Sequence, residues 1–457
     1  MIQIEKDRSF YKTICKIAMP IALQNFITFA TSMMDTIMLG QADETGTLLS
    51  ASSLANQPFF ILSLVCFGLS GAATVLASQY WGKRDVKTIR IILAIILKVA
   101  LVLSTAMGLA VLLFPTQVMG LYSSTPAVIE AGAEYLRIIG FAYFTFGVSN
   151  TLVCALRSVE IVKISVVVNS VSFLTNVFLN WVLIFGNLGA PAMGIRGAAI
   201  ATLTARLLEF VIAFFYLFVI DKRLRFRPRH LLRFDRLLAR DMLVHGTPVL
   251  INEVIWSLGV TIQAAILGHI TYSAGDPVAA NSIAGMVQQM STVVIFGLAN
   301  AAAVVVGKSI GEGDQAKAIR QAHTLKYLSF LIGLLACGVI LLLRDVVVDF
   351  YSFPEATKEL SRRLMEVIAV VTIFVSGSSI FIVGILRGAG DTRFCLLTEL
   401  LSMWCVALPL AFLASAMQWP VPLVLLLMKI DEPVKVLVCL IRMRGRSWLK
   451  TLTREFS

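Results

Sequence analysis

The sequence predicts an all-α polytopic membrane protein, with twelve transmembrane helices in two six-helix lobes related by internal duplication. Three observations carry that prediction. Hydrophobic residues make up 58% of the 457 and charged residues only 14%, where soluble domains carry about 25% charge, so a water-facing surface of this size cannot be covered. The apolar residues come in blocks of about 20, the length a helix needs to cross a bilayer. The chain also repeats itself at a nearly constant interval.

The spans fall in order near 14–40, 51–80, 91–115, 130–156, 164–187, 194–220, 246–269, 279–307, 325–345, 362–386, 395–416 and 420–441. Helices are expected because an open chain in lipid must pair its backbone groups internally. The charged start, MIQIEKDRSFYKTICK, has no small-residue cleavage site and does not read as a signal peptide. Residues 221–240, DKRLRFRPRHLLRFDRLLAR, hold eight Lys+Arg against two Asp, half of the chain's net +12. With twelve spans this segment, WGKRDVKTIR, GKSIGEGDQAKAIRQAHTLK, RGAGDTRF and the basic tail all fall on one side. The opposite loops GQADETGTLLS, GNLGAPAMGIRG, YSAGDPVAA and MQWPV hold a single Arg together. Positive residues mark the cytoplasmic face, so both termini are expected there, in a bacterial inner membrane or another cell's plasma membrane. Topology accounts for the basic charge, and no nucleic-acid partner is expected. The seven cysteines lie in or beside apolar segments without a CxxC pair and read as small core residues, implying neither disulfide nor metal.

FGLSGAATVLASQYWGKRD (67–85) aligns without gaps on FGLANAAAVVVGKSIGEGD (296–314), an offset of 229. VCALR (153–157) meets VGILR (383–387) at 230, and Pro20 meets Pro248 at 228. The expected organisation is an N-terminal six-helix lobe (1–220), a basic cytoplasmic linker (221–240) and a C-terminal lobe (241–457). An even number of helices per copy gives both the same orientation, as in parallel-repeat transporters that rock around a central site. No GxxxxGK[ST] motif is present. The four histidines form no acid–base constellation, so neither an ATPase nor a membrane enzyme is expected. No filter-like motif suggests a channel.

An acid in a span costs roughly 2.5–3.5 kcal/mol at the helix centre and is a functional candidate by default. Asp35 (first span) and Glu253 (seventh) are the leading two. At the 228 offset Asp35 meets Gln263 and Glu253 meets Asn25, so each half has an acid where the other has an amide. Asn169, Asn176 and Asn180 lie seven and four apart on one face of the fifth span, and Thr202 adds a hydroxyl in the sixth. Carboxylate, amide and hydroxyl oxygens suit a coupling cation, Na⁺ or H⁺ at Asp35, or an interhelical hydrogen-bond cluster. Glu253, beside Asn252 and three residues before Trp256, suits an organic cation, the coupling ion or a salt bridge to a neighbouring helix. Arg206 and Glu209 pair on one face. Lys429, Asp431, Glu432 and Lys435 read first as internal pairs. Arg157, Arg387 and Glu399 near cytoplasmic ends are expected to snorkel.

These residues resemble the multidrug and toxic compound extrusion (MATE) family. The carriers are MDTIMLG with Asp35, the repeated G-x-x-x-A-A…G-x-x-D stretches, GIRGAAIAT (194–202) and LRGAGDTRF (386–394). The likeness runs from Pro20 to Trp448. It implies export of cationic or amphipathic compounds in exchange for Na⁺ or H⁺, with Asp35, Asn176, Asn180 and Thr202 as the coupling-cation set. Glu253 matches the family's acid of the seventh helix, and Asn252, Trp256 and Gln263 join it as substrate or cation candidates. Many members have an aspartate where Asn180 stands, and some an acid in the tenth helix; this chain has neither. No catalytic residue or bound cofactor is expected. Two lobes in one chain make a complete rocking unit, so a monomer is expected, working on small organic cations within the bilayer. The runner-up is a lipid-linked saccharide flippase of the same wider superfamily, which would show a basic cleft.

Overall fold

A computed structural model describes residues 4–42, 47–270, 273, 275–350 and 353–454. Parts of the outer loops expected at GQADETGTLLS and YSAGDPVAA therefore lie outside the described residues. The helices run α1 (Arg8–Ala42), α2 (Thr47–Ala55), α3 (Gln57–Gly82), α4 (Val86–Leu113), α5 (Pro115–Gly120), α6 (Pro126–Ser158), α7 (Lys163–Phe185), α8 (Ile195–Phe215), α9 (Pro228–Leu231), α10 (Arg236–Gly268), α11 (Pro277–Gly311), α12 (Gln315–Phe350), α13 (Glu355–Ser379), α14 (Thr392–Glu399), α15 (Leu408–Ala416), α16 (Val421–Met428) and α17 (Asp431–Arg444). π-helical stretches Tyr216–Ile220, Ile380–Leu386 and Leu400–Ala407 extend α8, α13 and α14. Among the described residues eleven helical stretches are long and apolar enough to cross a membrane. The twelfth expected span, 420–441, is α16 and α17, divided at Lys429–Ile430. Pro433 explains the division: it has no N–H for the Lys429 carbonyl, and its ring crowds that group. The second span is likewise interrupted at Asn56, whose Nδ2 donates to the Ser52 carbonyl (3.0 Å).

The repeated G-x-x-D stretches are helix-turn-helix corners. Asp85 accepts the Thr88 N–H (3.0 Å) at the start of α4, and Asp314 accepts that of Lys317 (2.8 Å) at the start of α12. A side-chain oxygen there satisfies a donor that the first helical turn leaves orphaned. Between helices the backbone turns left-handed at Arg84 (φ 60°) and, 229 residues later, at Gly313 (φ 82°).

The described residues form two compact units. One holds residues up to Ala22, Thr74–Arg84 and everything from Leu243 onward; the other holds Leu23–Ala73 and Asp85–Met242. The second has its core around Leu39, Leu62, Tyr143, Leu136 and Ala199, the first around Leu267, Ile340, Leu364, Ala411 and Leu425. Leu335, Leu342 and Val346 of α12 are among many large apolar side chains left exposed, as a lipid-facing surface requires. Cys15 and Cys405 are exposed too, which corrects the reading of every cysteine as core.

Within the first unit α3 crosses α11 with almost no side chain between them. A Cβ on Gly82 would strike the Lys308 carbonyl, one on Gly311 the Gln79 carbonyl, and one on Gly307 the Ser78 hydroxyl. Gly82/Gly311 and Ser78/Gly307 are each 229 apart, so positions equated by the duplication meet one another. The tail locks onto the same corner. Gln79 donates to the Lys450 carbonyl (3.1 Å) and accepts the Leu452 N–H (2.8 Å), while Trp448 is buried.

In the linker, Asp221 accepts the N–H groups of Arg223, Leu224 and Arg225, and Arg90 of α4 donates to the Leu224 carbonyl (2.6 Å). Asp235 caps α10 by accepting from Leu237 and Leu238. His230 is buried, accepts the Arg227 N–H on Nδ1 (2.9 Å) and packs on Phe226. Burial, and after it Arg90, Arg233, Arg229 and Arg227, hold its imidazole below the usual histidine range.

Two outcomes follow. Gly311→Ala is expected to cost about 1–3 kcal/mol, the range of overpacking against rigid backbone, read as a lower melting temperature in detergent. Because the unfolded chain takes up a proton on His230 before the folded one does, stability is expected to fall as pH drops below the usual histidine range. That decrement should shrink in His230→Asn, measured by the same melts.

Candidate functional site

The amide face expected on α7 forms, and it meets Asp35. Asn180 Nδ2 donates to Asp35 Oδ1 (2.5 Å) and to Asn176 Oδ1 (3.2 Å), and Asn176 Nδ2 donates to Thr202 Oγ1 (3.2 Å). Asn176 and Asn180 are buried. Asn180 Oδ1 is buried without a hydrogen-bond partner among the described residues. The four residues named from α1, α7 and α8 are thus one connected chain within the second unit. Asn169 is separate, its Nδ2 returning to the Ser165 carbonyl (2.7 Å) of its own helix.

The structure adds two neighbours that periodicity had not singled out. Tyr135 of α6 is buried beside Asp35 and Thr202, with its hydroxyl 3.5 Å from Asn56 Oδ1 at the α2–α3 interruption. Arg206 acts electrostatically on Asp35, but its guanidinium is committed elsewhere. Nη1 binds both Glu209 oxygens at 2.9 Å, and the group lies over Phe59 (5.5 Å) and Phe146 (5.1 Å). Among the described residues Asp35 has no ion-pair partner.

Glu209, Glu253, Glu399, Asp431 and Glu432, the other acids set deeper in the spans, are all ion-paired. Glu253 Oε1 receives Arg387 Nη1 at 3.0 Å, the salt bridge to a neighbouring helix that was one of its three readings. Arg387, Arg157 and Glu399 are only 7%, 8% and 5% exposed, which corrects the expectation that they snorkel. Their helices turn these side chains into protein, where Arg387 meets Glu253, Glu399 meets Lys435, and Arg157 reaches the Cys154 sulfur. Lys435 also binds Asp431 and Glu432.

Asn252 is buried, its Oδ1 without a hydrogen-bond partner among the described residues, whereas Trp256 is 39% exposed. Gln263 lies ten residues beyond Glu253, about 15 Å along a helix, so it is not part of the same site. It donates to the Met428 carbonyl (3.0 Å) and accepts Lys429 Nζ (2.9 Å) at the α16–α17 division. LRGAGDTR is a structural corner as well. Gly388 faces Ala303 backbone, Gly390 takes φ 85°, and Asp391 binds Arg442 (2.9 Å) and Lys450 (2.5 Å).

The comparisons agree with this architecture. The chain is 27% identical over 409 residues to a probable multidrug resistance protein NorM of Thermotoga maritima, covering 88% of this chain and 85% of that protein. It is 24% identical over 421 residues to the multidrug resistance protein PmpM of Pseudomonas aeruginosa, covering 90% and 85%. Its fold matches a MATE crystallised in complex with MaL6 at a TM-score of 0.86, with 19% identity over 95% of both chains. A transporter of the MOP superfamily from Pyrococcus furiosus, described as having a binding pocket of reversed polarity, matches at 0.85 with the same identity and coverage. The MatE family model matches residues 20–182 and again 248–413, two copies starting 228 residues apart. This integral membrane protein therefore belongs to the MatE family, a family of transporters and not of enzymes.

Proposed function

We propose that the chain is a multidrug efflux antiporter of the bacterial inner membrane, monomeric, with both termini in the cytoplasm. It exports small cationic or amphipathic organic compounds in exchange for protons carried at Asp35. The observation that carries this reading is that Asp35, alone among the acids of the spans, has an amide for its partner instead of a base. The relatives named as multidrug resistance proteins support the class of cargo.

A proton suits the site better than Na⁺. A hard metal cation collects several oxygens, whereas here an amide N–H points at the carboxylate. The site is also a two-state element. Ionised, Asp35 accepts from Asn180 Nδ2. Protonated, it becomes a donor, and the unpartnered Asn180 Oδ1 is the acceptor available to it. Turning that amide round breaks the Asn180–Asn176 bond and releases Asn176 and Thr202, so the proton's arrival is passed from α1 to α7 and α8. Such a switch biases lobe motion only through its different bonding in the two states. Each proton entering contributes about 2.3 kcal/mol per 100 mV. In the other half, an organic cation competes with Arg387 for Glu253, with Trp256 offering an aromatic face.

Efflux of ethidium from proteoliposomes under a pH gradient, then a Na⁺ gradient, tests the reading. The pH gradient alone is expected to drive it, and Asp35→Asn to reduce driven efflux at least tenfold while ethidium still binds. Export driven by Na⁺ alone would overturn the choice of ion, and no gradient-driven flux would favour the flippase. Asn180→Asp, which places a second carboxylate beside Asp35, is expected to make export respond to Na⁺. Glu253→Gln is expected to raise KM for ethidium severalfold while the dependence on the gradient persists.

A further inference from the structure

The C-terminal half contains a second group of buried charges that the Asp35 site does not use. Lys435 of α17 is 2% exposed, and its Nζ lies 2.7 Å from Glu399 Oε1, 2.7 Å from Asp431 Oδ2 and 3.2 Å from Glu432 Oε1. Three carboxylates thus crowd one ammonium; its hydrogen bond goes to Glu432, and Glu399 Oε1 is buried without a hydrogen-bond partner among the described residues. Glu432 Oε2 also takes the Ser378 hydroxyl of α13. Asp431 is 2% exposed, yet its Oδ1 has no hydrogen-bond partner among the described residues. The other charged or titratable groups facing the cluster are Lys429 and the thiols of Cys395 and Cys439.

Charge counting shows what the cluster lacks. Glu399, Asp431 and Glu432 ionised, against Lys435 and Lys429, leave one negative charge buried without a counter-charge. Leaving a buried charge unmatched is strongly unfavourable. One proton shared among three carboxylates cancels it, and Asp431 Oδ1 is an oxygen free to take it. Position gives the proton a route to influence transport. Asp431 and Glu432 begin the half-helix that follows the mid-span division, and Lys429 in that division reaches Gln263 (2.9 Å), the residue the duplication equates with Asp35. Divided helices whose ends line a cavity are where transporters place their ions.

We propose that Glu399, Asp431 and Glu432, gathered on Lys435, form a second exchangeable-proton site, linked through Lys429 and Gln263 to the helix that carries Glu253. Its role in coupling rests on the reading of the chain as a proton-driven exporter; its capacity to bind a proton does not. A structural ion-pair cluster would hold its charge state fixed, whereas this site gains and loses a single proton, and any one amide substitution removes the need for it.

The test is the protonated-carboxyl stretching band in pH-difference infrared spectra of the full chain in liposomes. Wild type and Asp35→Asn are expected to share a band that disappears equally in Glu399→Gln, Asp431→Asn and Glu432→Gln, with no further loss when two are combined. Three separate variants keep the result readable if one fails to fold. In variants that still export, the proton-to-ethidium ratio is expected to fall by one proton. A band unchanged in all the folded cluster variants, or lost only in Asp35→Asn, overturns the proposal. If wild type exports nothing under a pH gradient but the cluster band behaves as described, the exporter reading fails and the proton site stands.

Discussion

A charge inside a bilayer has to be matched, and much of this structure is the consequence. Glu209 has Arg206, Glu253 has Arg387, and Glu399, Asp431 and Glu432 gather on Lys435. The pairings beyond α8 fix helices that sequence alone leaves free. Glu253 and Arg387 join residues 134 apart, and the Lys435 cluster ties α14 to α17. Breaking a one-to-one pair by removing one partner costs about 3–5 kcal/mol, so Glu209–Arg206 and Glu253–Arg387 are poor places to hold a changing charge, unlike three acids that share one ammonium. Against that background Asp35 stands out for what it lacks. A carboxylate held by an amide keeps a partner in either protonation state, because an amide both donates and accepts.

The duplication supplied two copies of one framework, and the copies have diverged in their charge. Where the first half has Asp35, the second has Gln263, and the place a cation would take beside a carboxylate is filled by the tethered ammonium of Lys429. At the 229 offset of the α3/α11 repeat, Arg206 meets Lys435. The first has one acid and two aromatic rings around it; the second has three acids. A common framework thus carries unequal charge in its two halves.

Much of this was legible in sequence because it is periodic. Apolar length gave the spans, and the seven-and-four spacing of Asn169, Asn176 and Asn180 predicted an amide face, two members of which reach Asp35. What was not legible depends on contacts between distant segments. No local pattern distinguishes Arg387 snorkelling from Arg387 turned inward to Glu253; that depends on which helix packs beside it. Ten residues separate Glu253 from Gln263, and grouping them as one site overlooked the rise of the helix between them. The division of the last span was signalled by Pro433, but apolar length outweighed it.

The glycines of the repeat show why the duplication survives as sequence. Gly82 lies against Lys308 backbone and Gly311 against Gln79 backbone, and no Cβ fits at either place. Because each copy's glycine presses on the other copy's helix, a side chain gained in one half damages the contact made by both. The residues one turn earlier, Ser78 and Gly307, repeat the arrangement. Lipid supplies no hydrophobic drive between helices, and close approach along small residues is what lets them associate; the glycines that mark the duplication are therefore also what holds this crossing together.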